Sequence, residues 1–280
     1  MRKHFGRCAL CGKECELTFE HIPPRAAFNS TPIRPVSGSE LFKNGSAKDE
    51  ERMPWEIGGL PYENQQQGMG RYSLCQTCNN NTGSWYGDAY VAFARRAYTA
   101  IKKFQSDEQT IIGFKELYPL RIIKQVLSMF CSINSMDMVD PRFEPIQEFV
   151  LDKNAVGLDK TKYKLCVYFT DSTLVKYVGL SVSLKLQQSG VRTMAMSEIT
   201  AHPLGFILYF DPVDMWEYQG IDITKFADFN YDDMATIGFL WNVVEMNDIF
   251  PEHFRTKEEI MKCVEENKKW SKEHEQHTQT

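Results

Sequence analysis

Two Cys-x-x-Cys pairs, Cys8–Cys11 and Cys75–Cys78, constrain this chain more than any other feature of its sequence. Four thiolates at such spacing can close a tetrahedral zinc site, and a site of four protein thiolates keeps no open position for substrate or water. The zinc is therefore expected to be structural, clamping together segments that lie far apart along the chain. Between the pairs stands Glu20-His21-Ile22-Pro23-Pro24, and directly after the last cysteine comes Asn79-Asn80-Asn81. A short strand, 17–19, is expected to deliver Glu20 and His21, and the prolines stop it because neither can donate to a ladder. Cys15 is a fifth nearby sulfur, but Cys8 and Cys11 already make the tight pair.

In order and chemistry, residues 8–11, 20–24 and 75–79 resemble the HNH endonucleases, the zinc-bearing treble-clef branch of the ββα-metal nucleases. The resemblance covers about the first third of the chain. It implies metal-dependent hydrolysis of phosphodiester bonds in nucleic acid, DNA rather than RNA, and suggests a role in defence against foreign DNA. It also implies that Glu20 and Asn79 supply the protein oxygens for a catalytic Mg²⁺ or Mn²⁺, with His21 as general base. Zn²⁺ would be held by Cys8, Cys11, Cys75 and Cys78.

Three departures from the family pattern stand out. The family's middle Asn usually lies five residues before the second knuckle, where this chain has Gly70; Asn64 is the nearest substitute. The family's final His is Asn79. The 53 residues between His21 and Cys75 exceed the usual hairpin and imply an inserted loop at about 30–70.

The chemistry is consistent with the resemblance. An imidazole titrates near neutral pH, so His21 can take a proton from water. A carboxylate and an amide oxygen suit a hard cation rather than zinc. Asn80 is a competing amide turned roughly 100° from Asn79 on a helix. The alternative from a different class is a non-catalytic zinc module that binds nucleic acid or protein, with Glu20-His21 in a purely structural role.

A net charge of −5 means the surface as a whole is not built for polyanions, so any nucleic-acid contact must come from a local patch. Residues 1–36 carry six Lys/Arg against three acids. A helix over about 90–104 has an apolar stripe and an opposite face with Arg95, Arg96, Lys102 and Lys103. That face reads first as solvated and second as a phosphate track.

No apolar run is long enough to span a membrane. No export signal follows the charged N-terminus, so free thiols in a reducing cytoplasm are expected rather than disulfides.

The remainder reads as a second unit. A helix over 117–133 has Pro119 in its first turn, where the missing N–H costs nothing. Alternating β-branched and aromatic residues over 163–210 predict an antiparallel sheet. Helices are expected over 232–246 and from a Thr256/Glu259 capping box onward. The fold class is α+β: a nuclease-like module at 1–105, then a recognition or sensor region at 106–280 with an antiparallel sheet and packed helices. That second region would also carry any homo-oligomeric or regulatory contact.

Overall fold

The computed structural model describes residues 3–45, 53, 55–104, 110–135, 140–187 and 190–275. It is an α+β protein. Strands β1 (His4–Arg7), β2 (Glu14–His21) and β3 (Gly70–Cys75) form an antiparallel sheet with β2 in the middle. Within the 30–70 connection, read from sequence as loop, lie helix α1 (Gly38–Gly45) and an isolated bridge between Ile33 and Gln65.

From β3 the chain passes straight into α2 (Gln76–Thr82), a π-helical turn (Gly83–Gly87) and α3 (Asp88–Lys103). Strand β4 (Ile111–Leu117) then leads to α4 (Pro119–Ile133), whose Pro119 occupies the first turn as its sequence requires. α4 is buried all round, the pattern of a core helix. It packs against α3, β3 and the large sheet, and so fills the space between the cysteine-bearing module and the rest. A short 3₁₀ turn at Pro141–Phe143 and helix α5 (Glu144–Leu151) follow.

The large sheet has five strands in the order β6-β7-β8-β5-β9. These are β5 (Tyr163–Phe169), β6 (Lys176–Gln187), β7 (Gly190–Ala201), β8 (Leu204–Phe210) and the short β9 (Ile221–Asp222). The His202-Pro203 turn divides β7 from β8, which pair antiparallel through Ala201 and Leu204.

The helix expected at 232–246 is not present. Residues Ala235–Leu240 form strand β10, paired antiparallel with β4. Phe239 points inward and Leu240 outward, so period-2 alternation prevails over the helical spacing of the same apolar residues. Thr236, Ile237 and Gly238 are poor helix formers, and β4 supplies the ladder partner. Helix α6 (Lys257–Glu275) opens on the expected capping box, Thr256 N–H to Glu259 and Glu259 N–H to Thr256 Oγ1.

One cluster of buried apolar residues runs from Cys8 and Leu10 through α3 and α4 to Phe239 and Trp241, on both sides of residue 105. Among the described residues, no helix is long and apolar enough to cross a membrane.

Candidate metal and catalytic site

The four knuckle cysteines converge. Their Sγ atoms all lie within 4.8 Å of one another, and Cys11 and Cys75 are 3.9 Å apart. Tetrahedral thiolates at a Zn–S distance of ~2.3 Å have edges of about 3.8 Å. The four could therefore hold a metal ion, and zinc fits them.

The local backbone is built for anionic sulfur. The Cys75 N–H donates to Cys8 Sγ at 3.3 Å, and the Cys78 N–H donates to Cys75 Sγ at 3.4 Å. Cys75 is thus the N-cap of α2, where the helix dipole favours negative charge. A hydrogen bond from the Cys78 thiol, helped by the backbone N–H groups of Cys75, Cys11 and Leu10 and opposed by burial, holds the Cys8 thiol down at about 4. Gly12 closes the first knuckle at φ +68°, a left-handed conformation that suits glycine. Cys15 stands outside the group, its thiol donating to Lys13 O.

The knuckles tie the module to the rest. Ala9 N–H donates to Ser73 O of β3, and Gln147 of α5 donates to Ala9 O.

Glu20 and His21 end β2, opposite Arg71 and Gly70. Successive strand residues face opposite ways, and here the difference matters. Thr18 and Glu20 face inward, toward α2, and Glu20 is only 6% exposed. Burial alone pushes its carboxyl up to about 8, and among the described residues no cation pairs with it. Arg71, its cross-strand neighbour, donates instead to Ile133 O of α4.

Phe19 and His21 share the outer face with their rings edge to face at 5.0 Å, and Tyr72 and His4 extend that aromatic row. His21 Nε2 lies 3.1 Å from Gln67 O. A carbonyl only accepts, so Nε2 carries the proton and the neutral ring keeps its lone pair on Nδ1. Burial and the nearby Arg25 charge pull the His21 pKa down, against the Gln67 contact.

Asn79, the fourth residue of α2, lays its amide on β2. Nδ2 donates to Thr18 Oγ1 at 2.9 Å and to Phe19 O at 3.3 Å, bonds that do not engage Oδ1. Asn80 is exposed, as the helical rotation requires. Glu20 and Asn79 therefore lie on the same side of β2, the side facing α2.

Neither candidate for the middle amide takes that part. Asn64 is exposed in the connecting loop. At Gly70 a Cβ would sit 2.2 Å from Glu20 O and 2.6 Å from the Phe19 ring, so the close crossing of β2 and β3 excludes any side chain. The residue that binds the loop is Asn29. It is buried, donates Nδ2 to Pro23 O at 2.6 Å and to Met69 O at 2.7 Å, and accepts from Met69 N–H at 2.7 Å. Spacing gave no sign of it, because Asn29 and Met69 stand 40 positions apart. A second brace comes from the large sheet, where Tyr177 of β6 donates its hydroxyl to Ile22 O.

Asn29→Ala leaves Pro23 O and the Met69 N–H without partners, while Met69 O keeps the Ile22 N–H, and each orphaned group is worth roughly 1–3 kcal/mol. The melting temperature is expected to fall by roughly 5–10 °C with metal content intact. An unchanged melting curve would show that Asn29 does not hold the loop.

Comparison of the chain with protein-family models, with curated proteins and with solved structures returned no match.

Proposed function

We propose that the chain is a metal-dependent endonuclease of the HNH type. The observation that carries this reading is the hydrogen bonding of Asn79 onto β2 at Thr18 and Phe19, beside Glu20 and His21. In the resembling family these three positions do the chemistry, and here the helix after the second knuckle meets the strand after the first.

In this reading Cys8, Cys11, Cys75 and Cys78 hold a structural zinc, and Glu20 with Asn79 Oδ1 would hold Mg²⁺ or Mn²⁺. When bound, the hard cation offsets charge on the phosphoryl and leaving oxygens. His21, its tautomer set by Gln67 O, takes the proton of the attacking water at Nδ1. Arg25, close enough to depress the His21 pKa, supplies positive charge for the phosphate. The DNA preference and the defence role rest on the resemblance alone.

One observation favours a second reading, a zinc module that binds without cutting. Glu20 is buried on the inner face while His21 lies on the outer face, so the strand itself separates the two groups.

The test is one cleavage assay across plasmid, linear duplex, single strands and RNA with Mg²⁺, Mn²⁺ or EDTA. Cleavage that needs the added cation supports the nuclease; none with any substrate leaves the binding module. Within an active enzyme, Glu20→Ala and Asn79→Ala should each raise the Mn²⁺ needed for half-maximal rate at least roughly tenfold, with zinc content unchanged. Asn80→Ala should leave that titration where it is. If Asn80→Ala shifts the curve and Asn79→Ala does not, the wrong amide has been assigned.

A further inference from the structure

Three residues after Arg25, Phe28 adopts φ +66°, a left-handed conformation that costs a bulky side chain roughly 1–2 kcal/mol. Its ring is nevertheless 43% exposed, so burial of the ring does not explain the strain. The ring packs at 4.8 Å and 34° on Tyr98 of α3, and Tyr98 meets His202 of the β7–β8 turn edge to face at 5.5 Å. Lys102, one helical turn beyond, lies over the Tyr98 ring at 5.6 Å.

Strained backbone that holds an exposed ring in place is a feature of binding sites. Here the support comes from three distant parts of the chain: the loop after His21, α3, and the large sheet.

Charge continues from this cluster in one direction. At 100° per residue, Arg95 lies within about 60° of Tyr98 around α3, on the side of Lys102. Arg95 also lines an open groove of about 540 Å³ between α3 and β4, with Arg96, Lys103 and Lys115. Phe104, 38% exposed, stands at the same groove with the Lys103 ammonium over its ring. Among the described residues the nearby acids include Asp171, beside His202, and Glu116, which pairs with Arg96 at 3.6 Å.

We propose that Phe28 and Tyr98, with Lys102, form a stacking platform for unpaired bases, and that the strand's backbone continues along the groove of Arg95, Lys103 and Lys115. The ligand is single-stranded nucleic acid. Rings accept any base through its π face while cations follow the phosphates. A duplex keeps its bases stacked inside and offers Phe28 nothing to stack on. An acidic peptide would satisfy the cations but not the rings. The proposal deepens the nucleic-acid reading above and rests on it for the class of ligand, but not for the cleavage.

The test is fluorescence anisotropy of the full, zinc-loaded chain without added Mg²⁺ or Mn²⁺. The probes are a fluorescein-labelled 20-nucleotide single strand of DNA, one of RNA, the blunt DNA duplex, and polyglutamate. The single strands should bind more tightly than the duplex. Phe28→Gly, which removes the ring and suits its φ, should weaken single-strand binding roughly 5–50-fold and leave duplex binding unchanged. Phe28→Trp should retain binding, and this variant reads the ring's role even if the glycine variant is loosened. Lys102→Gln should lower the salt dependence of binding by about one charge.

Equal affinity for duplex and single strand, unmoved by Phe28→Gly, overturns the proposal, as does polyglutamate binding that matches the strands. Single-strand binding without cleavage under any cation would refute the nuclease and leave the platform standing. Cleavage with no effect of Phe28 on binding would do the reverse.

Discussion

Cys75→Ser is expected to cost the protein its zinc and, with it, the folded cysteine module. Cys75 is one of the four sulfurs within 4.8 Å of one another, and it caps α2 by accepting the Cys78 N–H. Serine can take over the cap but cannot supply the soft thiolate ligand. Structural zinc contributes roughly 10–16 kcal/mol in small zinc peptides. That is as large as the whole stability of an ordinary domain, about 5–15 kcal/mol. Three short strands and a seven-residue helix segment cannot offset such a loss.

The consequence should spread, because Cys8, Leu10 and Cys78 belong to the same buried cluster as α4 and the large sheet. Purified wild-type protein should carry about one zinc per chain. The variant should carry none, melt far lower and expose apolar surface to a hydrophobic dye. Full zinc content and an unchanged melting curve in Cys75→Ser would remove the metal clamp from this account.

His21→Ala is the second large effect, and it should be confined to chemistry. The ring lies half-buried on the outer face of β2, outside the main core cluster, and its one described hydrogen bond is to Gln67 O. Its removal should therefore leave the melting temperature and zinc content close to wild type. A positioned general base contributes about 10²–10⁴-fold, so cleavage should fall by that factor. His21→Ala also removes the edge-to-face contact with Phe19, a small local term. Cleavage at a near wild-type rate would show that another group takes the proton. Loss of both zinc and fold in the variant would make His21 a structural residue and favour the binding module.

The two experiments probe opposite kinds of residue, and the sequence separated them well. Four soft ligands in two tight pairs are a local pattern with one common use, so the sulfur cluster could be read from spacing. The end of β2 at Glu20-His21 was legible for the same reason, since the two prolines that stop the strand lie within three residues of it. The helices at 88–103 and 119–133 and the strands between 163 and 210 followed from periodicity within single segments. In each case the information lies within a few residues of where it is used.

The rest depended on which segments meet. Residues 235–240 carry apolar positions compatible with either period, and pairing with β4 made them a strand. Asn29 gained its role only when Pro23 and Met69 were brought to it, and Gly70 only when β2 crossed it too closely for a Cβ. The sequence likewise placed Glu20 beside His21, but the pleat of β2 sent one inward and the other outward.

The basic face of α3 borders a groove that Lys115 of β4 also lines, and the Phe28 ring rests against Tyr98 and His202. The physical reason is common to all of these. A backbone hydrogen bond, a clash or a shared electrostatic surface between segments depends on distance in space, and the tertiary fold sets that distance for residues tens of positions apart in the chain.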